Sequence, residues 1–148
     1  MRGATCLLIG VLVLAACGGG TTATSAPPSV TAPATEIMAS GEFVNVDGTA
    51  AGTAQVVVMG DVYEVVLENF QTDSIDHTNV ILVGNEGVTM SDDIDPTRTL
   101  DLGPLQAASG MQTYVIPAEM SGSVMDDYHS VVIWDTAMAH AIAAATLK

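Results

Sequence analysis

The groups with which this chain could do chemistry are few: three imidazoles (His77, His129 and His140), two thiols (Cys6 and Cys17) and 17 carboxylates. No two histidines stand at i, i+2 or i, i+4, so a mixed His/carboxylate site for zinc or copper would need separate loops to converge. His77 follows Asp76, and His129 comes shortly after Asp126 and Asp127, so both read as exposed surface histidines. Ser91-Asp92-Asp93-Ile94-Asp95 gathers the hard oxygens that calcium prefers. It lacks the glycine and closing glutamate of an EF-hand loop and reads as a solvated acidic loop. The pairs Asp92-Asp93 and Asp126-Asp127 are adjacent, and adjacent strand residues face opposite ways, which makes them poor acid/base pairs. There is no G-x-S-x-G, no H-E-x-x-H and no glycine-rich phosphate loop. No catalytic residue, metal ligand or cofactor is expected, and the chain reads as a protein other than an enzyme.

The thiols have another use. After Arg2, an apolar or small stretch runs from Cys6 to Ala16, the shape of a secretory signal. A bilayer span needs roughly 20 apolar residues, and Gly18-Gly19-Gly20 ends this run well short of that. Leu14-Ala15-Ala16-Cys17 followed by glycine resembles the lipobox of bacterial lipoproteins. The resemblance implies cleavage after residue 16 and a diacylglyceryl thioether on Cys17. Two acyl chains at about 0.8 kcal/mol per buried methylene hold a protein on a membrane without a second signal. Cys6 would leave with the signal, so the mature chain would keep no free thiol and could form neither a disulfide nor a thiolate metal site. The resulting expectation is lipid anchoring at a bacterial cell membrane, facing away from the cytoplasm.

Charge narrows the partners. The chain carries −14, and loss of Arg2 leaves Arg98 and Lys148 alone against the carboxylates, or −15. Nucleic acid needs clustered cations to displace counterions and is excluded. Anionic headgroups repel this surface within about 8 Å. Residues 17–35 are Gly, Thr, Ser, Ala and Pro almost throughout and read as a tether after the lipidated cysteine. It would reach roughly 25 Å as a coil and about 60 Å when extended.

Residues 36–148 suit one domain with a single core. Phe43 to Val46, Thr53 to Met59, Val62 to Leu67, Val80 to Val83, Met111 to Ile116 and Ser130 to Trp134 are short, β-rich and bounded by turn residues. Gly60-Asp61 predicts a two-residue hairpin turn. Tyr63, Val65 and Leu67 alternate with Val62, Glu64, Val66 and Glu68, as a strand with one buried face does. Leu102-Gly103-Pro104 and Ser109-Gly110 have turn chemistry. Pro117 stops the strand in which Gln112, Tyr114 and Ile116 share a face. Trp134, the sole tryptophan, is expected in the core. The alanine-rich stretch from Ala137 to Leu147 has, by intrinsic propensity, the composition of a terminal helix.

The run from Leu102 to Pro117 and the segment Tyr128-His129-Ser130-Val131-Val132-Ile133-Trp134 resemble the DM-thirteen domain, often labelled electron-transfer DM-thirteen. Its members carry LGxLkxxxGxQxYxIP followed by YxSVxIWC. The matching positions here are Gly110, Gln112, Tyr114, Pro117, Ser130 and Trp134. Upstream, Gly52-Thr53-Ala54, Leu67 to Phe70 and Thr72 extend the likeness over residues 41–147. The resemblance implies an all-β fold, a small antiparallel β-sandwich whose last strand is the alanine-rich tail. Trp134, Thr136, Met138, His140 and Ile142 would then share one face. Where the family has cysteine after the Ile-Trp pair this chain has Asp135, and a carboxylate can neither cycle electrons nor form a thiolate. The reading that results is a membrane-anchored extracytoplasmic module binding an envelope protein, a polymer or a small ligand. The alternative is the redox role in the family's label.

Overall fold

The computed structural model describes residues 34–148. The signal segment, Cys17 and nearly all of the tether lie outside the described residues. Eight strands follow: β1 (Thr35–Asn45), β2 (Ala50–Met59), β3 (Val62–Thr72), β4 (Thr78–Val83), β5 (Thr99–Pro104), β6 (Ser109–Val115), β7 (Ser130–Asp135) and β8 (His140–Thr146). One short helix, α1 (Val124–Asp127), precedes β7. Among the described residues no helix is long and apolar enough to cross a membrane.

Every strand pair is antiparallel, in the order β5-β4-β7-β8-β1-β2-β3-β6. The sheet curls on itself because β1 serves both halves. Its residues from Thr35 to Glu42 pair with β2, and Phe43 to Asn45 pair with β8. Gly41 stands at the crossing, where a β-carbon would collide with the Thr146 carbonyl. Only glycine allows two backbones to approach so closely. The Gly60-Asp61 turn joins Met59 to Val62 as the sequence predicts.

The two halves enclose the main core. Ala54 and Val56 of β2, Val65, Leu67 and Phe70 of β3, and Tyr114 of β6 meet Val80 and Leu82 of β4, Val131 and Ile133 of β7, and Ala143 and Ala145 of β8. Phe43 packs edge-on to Phe70 at 5.5 Å between ring centres. Each large apolar side chain buried here contributes on the order of 1.5–3 kcal/mol. The segment between β4 and β5 folds over the outer face of the other half, where Val88 and Ile94 cover Ile81, Val83, Val132, Ala141 and Ala144. Strands β4 and β7 are therefore buried on both faces. This explains why Val80 to Val83 and Val131 to Ile133 are unbroken apolar runs, whereas one-sided β3 alternates.

The tail is strand, with Ala141 to Ala145 buried between two covered faces. Pairing with both β1 and β7 overrides helix propensity. The shared face expected from Trp134 to Ile142 is not formed, because residues 136–139 are the turn between β7 and β8. A bulge between Ile133 and Trp134 also shifts the register. Leu102 to Pro104 end β5 and Ser109-Gly110 open β6, so these residues bracket the short 105–108 connection from within the strand ends. Gly110, at φ +103°, pairs with Phe70 beside an irregularity in β3, where Asn69 is itself at φ +49°.

Candidate functional site

Trp134 is half-buried near the end of β7, on the sheet face that the β4–β5 segment covers, and not in the main core. The covering is incomplete and leaves a cleft of about 500 Å³. Its apolar wall is Ile81, Ile94, Pro96, Trp134 and Ala139. The polar groups are Ser91, Asp92, Thr99, Asp101 and Thr136. Such a volume and mixture suit a small molecule.

The acidic segment forms a built wall. The Ser91 hydroxyl donates to Asp47 Oδ2 at 2.6 Å and accepts from the Ala141 N–H at 2.7 Å, which holds the segment down on β8. Asp93 Oδ2 accepts from the N–H groups of Thr89 and Met90, each at 2.9 Å, and from the Thr89 hydroxyl at 3.1 Å. These bonds, the Thr89 N–H foremost, lower the Asp93 pKa. Asp95 Oδ1 accepts from the Thr97 hydroxyl at 2.7 Å and its N–H at 2.9 Å, and its pKa falls for that reason. Asp93 and Asp95 thus cap local backbone turns while staying at the surface. Among the described residues no group of three His, Cys, Asp or Glu is placed to hold a metal ion. Asp101 accepts from Asn79 Nδ2 and from the Gly103 N–H, both at 2.8 Å, so its carboxylate is fixed toward the cleft rim.

Asp135, at the family's cysteine position, shapes the adjoining turn. Its Oδ1 accepts from the N–H groups of Ala137 at 2.8 Å and Met138 at 2.9 Å. The Met138 bond is the main reason its pKa is lowered, with help from the Ala137 bond and the nearby His140 and His77. Thr136 closes the same corner by donating its N–H and hydroxyl to the His77 carbonyl at 2.7 and 2.8 Å. His77 and Ala139 sit at φ +56° and +54°, an uncommon conformation for residues with a β-carbon. Asp135 and His140 line a second, smaller hollow of about 370 Å³ on the other side of the turn. The sequence places His77 beside Asp76, but the structure brings His77 and His140 to Asp135, and leaves His129 at the opposite end of β7.

The other motif positions hold loops. Gln112 is 4 % exposed, and its Oε1 accepts from Tyr114 Oη at 2.8 Å and from the N–H groups of Gln106 at 3.0 Å and Ala107 at 3.3 Å. Its Nε2 donates to the Ala107 carbonyl at 2.8 Å. Tyr114 also accepts from the Gln106 N–H, while burial pushes its phenol pKa up. Glutamine and tyrosine together therefore pin the 105–108 connection. Ser130, fully buried, donates to the Asn85 carbonyl at 2.7 Å and anchors the base of the β4–β5 segment. Pro117 follows Ile116, whose N–H bonds the Tyr63 carbonyl just past the end of β6.

Thr99 and Asp101, which complete the cleft, were not singled out in the sequence. The alternation of Thr99 and Asp101 with Leu100 and Leu102 was the available signal: the leucines pack toward the main core while the polar pair lines the cleft.

No curated protein and no solved structure matches this chain. A family model described as Electron transfer DM13 matches residues 42–147, more than two thirds of the chain. The chain belongs to the electron transfer DM13 family.

Proposed function

We propose that the protein is a binding module of the bacterial cell envelope, not an enzyme, held outside the cytoplasm by a lipid on Cys17, with its ligand seated in the Trp134 cleft. The observation that carries this reading is the state of Asp135. The residue where the family has its thiol is a carboxylate already spent on the β7–β8 turn, and beside it the one tryptophan borders an open cleft. With Cys6 removed and Cys17 acylated, no sulfhydryl is left for thiol chemistry. The acidic surface keeps the domain off anionic lipid, and the tether gives it room to meet an envelope protein, a polymer or a small ligand.

The family's name supports a second reading, electron transfer through a bound cofactor. Full-length protein extracted in detergent from bacterial membranes separates the two. Palmitate label is expected on the wild type and absent from Cys17→Ala, and the spectrum is expected to be that of protein alone. Equal labelling of the two proteins removes the anchor. A visible band that bleaches on reduction replaces binding with electron transfer.

A further inference from the structure

We infer that the Trp134 cleft binds an organic ammonium ion, a primary or secondary amine on a compact apolar skeleton. The inference rests on the reading of the cleft as the binding site and adds the class of its ligand.

The hydrogen-bonding capacity of the lining carries it. Three hydroxyls face the cleft, and each hydrogen is already given away: Ser91 to Asp47 Oδ2 at 2.6 Å, Thr99 to the Pro96 carbonyl at 3.2 Å, and Thr136 to the His77 carbonyl at 2.8 Å. The remaining polar side chains, Asp92 and Asp101, are carboxylates, and the lining contains no Lys, Arg, His, Asn or Gln. The side chains therefore present mainly acceptors, and the one donor not already given to a partner is the Trp134 indole N–H. A carboxylate or phosphate would face two carboxylates with no cationic side chain, and among the side chains only the single indole N–H to bond. A sugar could donate its hydroxyl hydrogens but would leave most of its own oxygens unpaired, at a cost for each that is desolvated. An ammonium group is donor-only, with three or two N–H bonds and no lone pair, and it complements such a wall.

The rest of the cleft distinguishes an organic cation from a metal ion. Calcium takes six to eight oxygens, and among the described residues no cluster of that kind exists. Ile81, Ile94 and Pro96 instead supply an apolar wall for methylene groups, and Trp134 is the side chain best able to attract a cation to its ring. Asp101 is held by Asn79 and Gly103 and needs no rearrangement to receive the ligand. The chain's charge of −14 raises the local concentration of cations at the entrance.

The sole tryptophan makes the test direct, because emission excited at its red edge reports on the cleft alone. Detergent-solubilised full-length protein would be titrated with three probes of matched shape: cyclohexylmethylammonium, cyclohexylmethanol and cyclohexanecarboxylate. A saturable change is expected with the ammonium, about tenfold tighter than with the alcohol and none with the carboxylate, as a charge-assisted hydrogen bond implies. Asp92→Asn, an exposed position, and Asp101→Asn should each weaken the ammonium several-fold while leaving the alcohol unchanged. If the alcohol binds as well as the ammonium, or the carboxylate binds better, the ligand class is overturned and the cleft stands as a binding site. If none of the three alters the emission, the ligand class and the placing of the binding site in this cleft both fall. A reducible visible band, by contrast, would strike only at the function proposed above.

Discussion

Tyr114 donates its phenolic hydrogen to Gln112 Oε1 at 2.8 Å inside a buried corner where the same oxygen also receives two backbone N–H groups. Replacing Tyr114 with Phe removes the donor and takes one acceptor from Gln106. We expect a loss of about 1–2 kcal/mol, seen as a lower urea midpoint with unchanged slope. A midpoint within error of wild type would show that the corner does not hold the 105–108 connection.

The same phenol predicts an alkaline limit. Its folded-state pKa lies above the ordinary 10.0 because burial disfavours the phenolate, so the unfolded chain ionises first. Its contribution to stability is complete below about pH 10 and is lost as pH rises toward the folded-state value. Tyr114→Phe should flatten that part of the thermal stability profile.

Acid acts on Asp135 with the opposite sign. Hydrogen bonds from Met138 and Ala137 hold its pKa below the usual 3.8, so the folded state prefers the carboxylate. The stabilisation is present above the unfolded value and disappears as pH falls through the folded one. Melting temperature measured from roughly pH 5 to pH 3 should fall less steeply in Asp135→Asn than in wild type. Asp135→Cys, which restores the family residue, should lower the melting temperature at neutral pH and add one thiol per chain to a dithionitrobenzoate titration of the lipidated protein. An unchanged melting temperature would mean that the carboxylate does not shape the turn.

Ser91 joins the β4–β5 segment to the sheet through two bonds, one of them to the Ala141 N–H. Ser91→Ala leaves that inward N–H without its acceptor and should cost about 1–3 kcal/mol. Because Trp134 lies under the segment, its emission should also move to the red as water enters. A stability loss without that spectral shift would argue that the cleft is not shaped by Ser91.

Gly41 marks the point where β1 passes from β2 to β8. A methyl group there meets the Thr146 backbone, which cannot turn aside as a side chain can. Gly41→Ala should destabilise by about 1–3 kcal/mol, the range for overfilling a packed site. Thermal denaturation checks this, and a melting temperature equal to wild type would show that the two strands can part at little cost.

Much of the architecture was legible in local sequence, because alternation and turn chemistry are properties of neighbours along the chain. Tyr63, Val65 and Leu67 against Val62 and Glu64, the Gly60-Asp61 turn, and the shared face of Gln112, Tyr114 and Ile116 all depend on strand period and φ preference. The replacement of the family's cysteine by Asp135 and the excess of negative charge are likewise matters of residue identity. Tertiary structure alone decided the rest. The alanines of β8 became a strand because pairing with β1 and β7 outweighs an intrinsic helix preference of a few tenths of a kcal/mol per residue. Trp134 left the main core for a cleft, and Asp101 reached the rim of that cleft, because register across β5, β4 and β7 sets which side chains meet. Register is fixed by partners distant in the chain and by bulges such as the one before Trp134, and no stretch of sequence contains it by itself.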